Sequence, residues 1–193
     1  MTEKPSPLRE QAIRKAMEDS LPALRAFARG LCLDRMSADD LVQAACERAL
    51  ERLEQVTDIG GVKSWLNRIV YTQWHDMLRR RNRRSSKILQ FALHWAGYEE
   101  SQRSEGERVR AMRLDVEKAL ASLDPEPRAA VVLVGMLGYS YKEAAAVLEL
   151  SAGTVASRVA RARNRMAEVL TVDERQEQRL KEVRRRSVHE KTG

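Results

Sequence analysis

The segment of residues 151–166 constrains the fold more than any other part of the chain. At helical spacing its apolar side chains share one narrow sector, namely Val155, Val159, Ala162 and Met166. Its polar and basic side chains share a second sector, namely Thr154, Ser157, Arg158, Arg161 and Arg165. This pattern predicts a helix that docks on one side and presents the other to a partner.

The residues before this segment predict a helix-turn-helix. Tyr141–Leu148 is an alanine-rich helix-forming run, and Ser151 offers a side-chain oxygen that can cap a second helix. In such a motif the second helix enters the DNA major groove with its N-terminal residues toward the base edges. The alternative is a solvated basic helix on an ordinary small helical domain, which would not require turn, cap and apolar seam to coincide.

The composition predicts an all-α fold with a polyanionic partner. Aromatic residues make up only 5% of the 193 residues, and apolar residues recur at helical spacing without the alternating β-branched runs of strands. The net charge of +7 favours nucleic acid over a membrane surface, because the basic residues cluster around helices with ordinary cores.

Several other classes of protein are disfavoured by the sequence. The longest apolar stretch, 129–137, is too short to span a membrane, and the N-terminus lacks the apolar region of a signal peptide, so we expect a cytoplasmic protein. Cys32 and Cys46 are predicted to be buried thiols, and the three histidines are scattered. We therefore expect no metal, no cofactor, no small-molecule substrate and no enzymatic activity.

One metal-dependent alternative is a nuclease. It could hold a metal ion with Asp39, Asp40 and Glu47, but the rest of the chain supplies no matching set of ligands.

The N-terminal part predicts a bundle of helices. Residues 8–33 predict one or two helices, with Ser20 capping the second just before Pro22, and Ser37 is the predicted cap of the next helix. The apolar face of that next helix is predicted to be Val42, Ala45, Cys46, Ala49, Leu50 and Leu53. Its opposite face exposes Asp40, Gln43 and Glu47, which have no evident intrachain role.

A third helix follows the turn at residues 58–61, where paired glycines favour a reversal of the chain. Its predicted core face is Val62, Trp65, Leu66, Ile69 and Met77, with Trp74 left ambiguous. A separate sector carries Ser64, Arg68, Tyr71, His75 and Arg79. The run RRRNRRSSK, residues 79–87, contains no acidic residue and predicts contact with phosphate.

These observations predict two small helical domains joined by a linker. The first is expected at residues 1–96, the linker at 97–108, and the helix-turn-helix domain at 109–170. A charged tail, 171–193, is expected to be a frayed helix or disordered.

Three motifs in order make the chain resemble a bacterial RNA polymerase sigma factor of the extracytoplasmic-function (ECF) group. DDLVQAACERAL (39–50) resembles the helix of conserved region 2.2, and VKSWLNRIVYTQWHDMLRRR (62–81) resembles regions 2.3 and 2.4. SLDPEPRAAVVLVGMLGYSYKEAAAVLELSAGTVASRVARAR (122–163) resembles region 4. The resemblance covers residues 20–170.

The resemblance implies a subunit that binds core RNA polymerase, through its β′ clamp helices and its β subunit, and promoter DNA. The residues implied to bind the clamp helices are Asp39, Asp40, Gln43 and Glu47. Those implied to capture the single-stranded −10 element are Asp58, Gly60, Gly61, Lys63, Ser64, Arg68, Tyr71, His75, Arg79 and Arg80. Those implied to read the −35 element as duplex are Thr154, Ser157, Arg158, Arg161 and Arg165. The resemblance also implies an anti-sigma factor.

The sequence departs from the family pattern at several positions: Cys46, Thr72, Glu149, Ala156 and Ala160. Glu149 stands where the turn usually has glycine, and in a left-handed conformation it would cost on the order of 1 kcal/mol.

Two alternatives to a sigma factor stay open: a sigma-like decoy that only sequesters an anti-sigma factor, and a plain helix-turn-helix repressor. The decoy would not need the basic faces, and the repressor would leave the first domain without a role.

Overall fold

A computed structural model describes residues 6–84 and 107–189, and within these ranges the chain is helical with no β-strand. The N-terminal half contains α1 (Pro7–Cys32), α2 (Arg35–Leu50), a short 3₁₀ turn (Leu53–Gln55) and α3 (Val62–Arg84). The C-terminal half contains α4 (Glu107–Ala121), α5 (Pro125–Val131), a π-helical turn (Val132–Met136), α6 (Tyr141–Leu148) and α7 (Ala152–His189). The all-α prediction is confirmed.

Helix α1 is continuous, which is the single-helix alternative for residues 8–33, so the predicted cap at Ser20 is wrong. Ser20 is buried inside the helix, where its hydroxyl donates to the carbonyl of Ala16 at 2.7 Å. Such back-bonding satisfies a buried hydroxyl without ending the helix. The helix ends instead at Leu33, which takes a left-handed φ of 62°.

Helix α2 begins earlier than the sequence pattern indicated. Asp34, not Ser37, is its N-cap, and the Asp34 carboxylate accepts the backbone N–H of Ser37 at 2.7 Å. A carboxylate at this position satisfies one of the free N–H groups of the first turn and complements the helix dipole. Leu50, predicted in the core, is 45% exposed.

The buried face of α3 is rotated about the helix axis relative to the predicted core face. Leu66, Val70 and Trp74 are at most 1% exposed, whereas Trp65 is only partly buried. The ambiguous Trp74 is therefore the core tryptophan, and it ranks among the largest fully buried side chains of the described residues.

The helix-turn-helix has the predicted geometry. Helix α6 has the predicted bounds, and Ser140 and Glu143 form a reciprocal capping box at its start. Glu149 occupies the turn with φ 56° and ψ 45°, the left-handed conformation expected there. Ser151 caps α7 by accepting the N–H of Thr154 at 3.1 Å.

Helix α7 extends well beyond the predicted recognition segment. It continues to His189, so the part of the tail that the structure describes, 171–189, is helical rather than disordered. At the other end of this half, Glu107 and Arg108, assigned to the linker by sequence, belong to α4. The rest of the predicted linker, and Ser85–Lys87 of the basic run, lie outside the described residues.

The two halves pack against each other. A β-carbon added at Gly30 of α1 would lie 2.8 Å from a methyl group of Val132, so only glycine allows this approach. The Arg128 guanidinium is buried and donates to three carbonyls: Leu120 at 3.0 Å, Leu123 at 2.8 Å and Leu31 of α1 at 3.1 Å. Burial lowers the pKa of Arg128, and the three carbonyls satisfy the charged form that burial disfavours.

The cap of α2 can be tested by a pair of substitutions. Replacing Asp34 by alanine should lower the free energy of unfolding by about 1 kcal/mol, because a first-turn N–H loses its acceptor. Ser37→Ala keeps the backbone N–H that the cap uses and should have a smaller effect. Urea unfolding of the two variants checks this, and a larger loss for Ser37→Ala would contradict the assignment.

Candidate nucleic-acid interface

The first candidate face is the exposed side of α7. Val155, Val159 and Ala162 are at most 1% exposed, so the predicted apolar seam is confirmed. On the other side, Ser157, Arg161 and Arg165 are exposed, whereas Thr154 is half-buried. The Arg165 guanidinium pairs with its neighbour Glu168 at 3.1 Å, and because both side chains are exposed, this pair can readily exchange.

Arg158 differs from its neighbours on this face. Its side chain is only 17% exposed and forms an ion pair with Glu126 in the first turn of α5. It also lies near Tyr71 of α3, whose pKa is raised chiefly by burial while the Arg158 charge opposes the rise. The sequence could not reveal this, because the partners are distant in the chain.

The second candidate face is the side of α3 that carries Ser64, Arg68, Tyr71, His75 and Arg79. Arg79 is exposed, but Arg68, also exposed, forms an ion pair with Glu149 in the turn of the helix-turn-helix. Tyr71 packs edge-on against His75, with 4.6 Å between ring centroids. This face of α3 therefore lies against the C-terminal half.

A buried hydrogen bond at the centre of that contact was not predicted from sequence. Asn67 is 0% exposed, and its amide donates to the Tyr139 hydroxyl at 2.7 Å. Burial raises the pKa of Tyr139, while hydrogen bonds from Asn67 and Ser64 oppose that rise. The Lys63 ammonium lies 5.1 Å from the centre of the same ring. The only signal in the sequence is a polar residue beside the core positions of α3.

The two candidate faces line one cleft of about 750 Å³. His75 and Arg79 lie on its α3 side, and Arg158, Arg161 and Arg165 lie on its α7 side. Asp124 and Glu126 are its acidic lining residues, so arginines outnumber carboxylates four to two. A cleft of this composition attracts polyanions.

Comparison with known proteins identifies the family of this chain. A model of Sigma-70 region 2 matches residues 16–84, and a model of Sigma-70, region 4 matches residues 113–166. The ECF RNA polymerase sigma factor EcfG of Rhodopseudomonas palustris is 32% identical over 165 residues, which cover 84% of this chain and 87% of that protein. The chain belongs to the ECF sigma factors.

Other relatives and solved structures agree. The ECF sigma factor SigE of Mycolicibacterium smegmatis is 34% identical over 69% of this chain, which spans about half (51%) of that longer protein. The sigma factor RpoE of Bartonella quintana, solved with the anti-sigma factor NepR, superposes with a TM-score of 0.70 at 32% identity, covering 83% of this chain and 97% of that one. CnrH, solved with the cytosolic domain of CnrY, superposes with a TM-score of 0.61 at 26% identity. The superposition covers 86% of this chain and 96% of CnrH.

A third surface of this sigma factor is the acidic side of α2. Asp39, Asp40, Gln43 and Glu47 are all exposed, as the sequence pattern indicated. The Gln43 amide donates to Glu47 at 3.0 Å, and Asp39 lies 3.7 Å from Arg35. These contacts lie within one helix, so the face is free to meet another protein.

The loop before α3 is also accessible in this sigma factor. Asp58 and Gly60 are exposed, Gly61 is half-buried, and the Asp58 carboxylate accepts the N–H of Gly60 at 3.0 Å. Lys63 at the start of α3 and Arg80 near its end are exposed. The described residues contain no cluster of three metal-ligating side chains, and none of their helices is long and apolar enough to cross a membrane.

His75 makes the packing of this cleft sensitive to pH. Burial lowers its pKa below the ordinary value of 6.5, with Arg79 and Arg158 lowering it further and Glu126 and Asp76 opposing them. Its Nε2 is buried without a hydrogen-bond partner. The native state thus holds the neutral imidazole.

The stability that depends on neutral His75 is present above pH 6.5 and is lost as the pH falls through that value and below. We expect the free energy of unfolding to fall less between pH 7.5 and 5.5 in His75→Gln than in the unsubstituted chain. Urea titrations at the two pH values measure the difference. An identical pH dependence for both proteins would contradict the prediction.

Proposed function

We propose that this sigma factor is a promoter-specificity subunit, which binds core RNA polymerase and directs initiation from promoters with −35 and −10 elements. The observation that carries the proposal is the exposed basic side of α7 within a capped helix-turn-helix, in a chain that also has the region 2 helices. The protein acts in the cytoplasm, where the polymerase is.

The core polymerase is proposed to bind the acidic side of α2. Asp39, Asp40, Gln43 and Glu47 are exposed while the other side of the helix packs in the core. Carboxylates and an amide held at fixed spacing on a rigid helix suit a partner surface that offers cations and hydrogen-bond donors, and the proposed partner is the β′ clamp helices. We propose a further contact between the C-terminal half and the β subunit.

The −10 element is proposed to bind as a single strand along α3 and the loop before it. Unstacked bases need aromatic partners, and their phosphates need cations. Tyr71 and His75 supply rings, and the loop residues Asp58, Gly60 and Gly61 lie before the N-terminus of the same helix. The proposed cations are Lys63, Arg68, Arg79 and Arg80, and Ser64 adds a hydroxyl group.

The −35 element is proposed to bind in its major groove to α7. Thr154 and Ser157 lie in the first turns of the helix, Arg161 projects from the next, and Arg165 is placed for phosphate. Arg158 belongs to the same sector but must first leave Glu126.

An anti-sigma factor is the proposed regulator. Two solved relatives, RpoE and CnrH, were captured with NepR and with the cytosolic domain of CnrY. Their superpositions cover 83% and 86% of this chain, which supports a regulator of the same kind here.

Run-off transcription tests the proposed function directly. Purified core enzyme with the full chain should produce defined transcripts from a subset of a promoter library, and core alone should not. Duplex binding without core would favour a repressor, and neither activity would favour a decoy.

The α2 proposal predicts that Asp40→Ala with Gln43→Ala weakens binding to core polymerase about tenfold or more while leaving thermal unfolding nearly unchanged, because both side chains are exposed. The matched control is Gln11→Ala with Glu18→Ala, which removes the same two groups from an exposed side of α1. Titration of labelled chain with core measures both. Equal affinities for the two double variants would contradict the proposal.

The α7 proposal predicts different effects for two arginines. In the holoenzyme, Arg161→Ala should cost about 1–3 kcal/mol at one base pair of the −35 element, because a bidentate guanine contact is lost. Arg165→Ala should weaken all sequences alike and flatten the salt dependence.

The matched control for both is Arg163→Ala, which removes an exposed arginine from another side of α7. Competition between −35 variants, repeated at two salt concentrations, separates these outcomes. A uniform effect of Arg161→Ala on all sequences would contradict direct readout.

A further inference from the structure

The turn before α3 holds its own shape through hydrogen bonds within it. The Asp58 carboxylate accepts the N–H of Gly60 at 3.0 Å, and the Asp58 carbonyl accepts the N–H of Gly61 at 3.3 Å. The Ile59 carbonyl accepts the N–H of Val62 at 3.2 Å, which joins the turn to the first residue of α3. These bonds fix the conformation of the turn but not its orientation relative to the other helices.

Arg9 of α1 holds the chain just before this turn. Its guanidinium Nη2 donates to the carbonyl of Val56 and to the carbonyl of Thr57, each at 2.9 Å. The two carbonyls belong to consecutive residues, so one guanidinium restrains two successive peptide groups. The Val56 side chain is buried, whereas Thr57 is exposed. Arg9 therefore extends the anchored part of the chain from Val56 to the residue directly before Asp58.

The presence of an arginine at position 9 is not explained by α1 itself. Arg9 is the third residue of a helix that begins at Pro7, and a cation in the first turn opposes the helix dipole. Arg14 of the same helix pairs with its neighbour Glu10 at 2.8 Å, whereas the two acceptors of Arg9 lie 47 and 48 residues along the chain. The matched model of Sigma-70 region 2 begins at residue 16, so Arg9 lies before the residues that it matches.

We propose that Arg9 is a positioning residue for the −10 element: it holds the turn at residues 58–61 in the orientation in which the turn meets an unstacked base. This inference rests on the proposed function, which assigns Asp58, Gly60 and Gly61 to the −10 strand. Arg9 acts through the backbone of the turn and does not contact the base itself. A turn that is already oriented binds a base without a further loss of backbone entropy.

Base discrimination by the holoenzyme tests this role. The variant is Arg9→Ala, and the matched control is Arg14→Ala, which removes the same charge from an exposed site on the same helix. The probe is the single non-template strand of a promoter selected by run-off transcription, with each position of its −10 element substituted in turn. Competition between these strands for the holoenzyme gives the ratio of their affinities.

We expect Arg9→Ala to lose about tenfold in discrimination at the one or two positions that the turn meets, because binding there must first order the backbone. The ratios at the other positions should stay as they are in Arg14→Ala. The thermal unfolding temperature should change little, because water can replace Arg9 at the exposed Thr57 carbonyl.

Two other roles for Arg9 predict different results. A direct contact with phosphate would weaken the binding of all strands alike and lower the salt dependence below that of Arg14→Ala. A purely structural role would lower the thermal unfolding temperature and the active fraction of the protein without changing the ratio of affinities between strands. Either result, or discrimination equal to that of Arg14→Ala, would overturn the proposal.

Backbone dynamics of the free chain test the same contact without DNA. ¹⁵N relaxation should give order parameters of about 0.85 for Thr57 and Asp58 in the unsubstituted chain and in Arg14→Ala, and lower values, toward about 0.6, in Arg9→Ala. Equal order parameters in the two variants would overturn the positioning role and leave the proposed function intact. If the order parameters fall as expected but holoenzyme with the unsubstituted chain initiates from no promoter, the proposed function fails and the −10 role of Arg9 fails with it.

Discussion

The packing of α3 against the helix-turn-helix is the constraint on which the rest of this structure depends. Asn67 in the middle of α3 and Tyr139 before α6 are both buried and share a hydrogen bond. Because that contact fixes α3 beside α6, it also brings Arg68 to Glu149 and Tyr71 to Arg158. The cleft, the covered Arg158 and the buried His75 nitrogen follow from this one docking.

The docking explains why a basic chain can fold with its arginines close together. The charged Arg128 guanidinium donates to three carbonyls, and Arg158 forms an ion pair with Glu126. The arginines left without a buried partner, Arg161 and Arg165, remain at the solvent-exposed side of the cleft. The guanidinium groups available to bind DNA are therefore those that have no buried partner within the protein.

Local features were predictable from the sequence because their causes lie within a few residues of each other. The bounds of α6, the Ser151 cap and the apolar seam of α7 depend on spacing and capping, which are visible in the chain itself. The predicted caps at Ser20 and Ser37 were wrong for different reasons. Ser20 is buried inside α1, where its hydroxyl donates to the Ala16 carbonyl, and the Asp34 carboxylate caps α2 in place of Ser37. The contacts of Arg158, Asn67 and Gly30 join residues far apart in the sequence, so periodicity could not reveal them.

The most direct test of the account is the distance between the two halves in solution. Dyes on cysteines introduced at the exposed positions Asp19 and Arg163, in the Cys32→Ala, Cys46→Ala background, report that distance by single-molecule energy transfer. The account predicts one high-efficiency population for the free chain, because α3 and the helix-turn-helix are packed together. A free chain with a low-efficiency, extended population would contradict it.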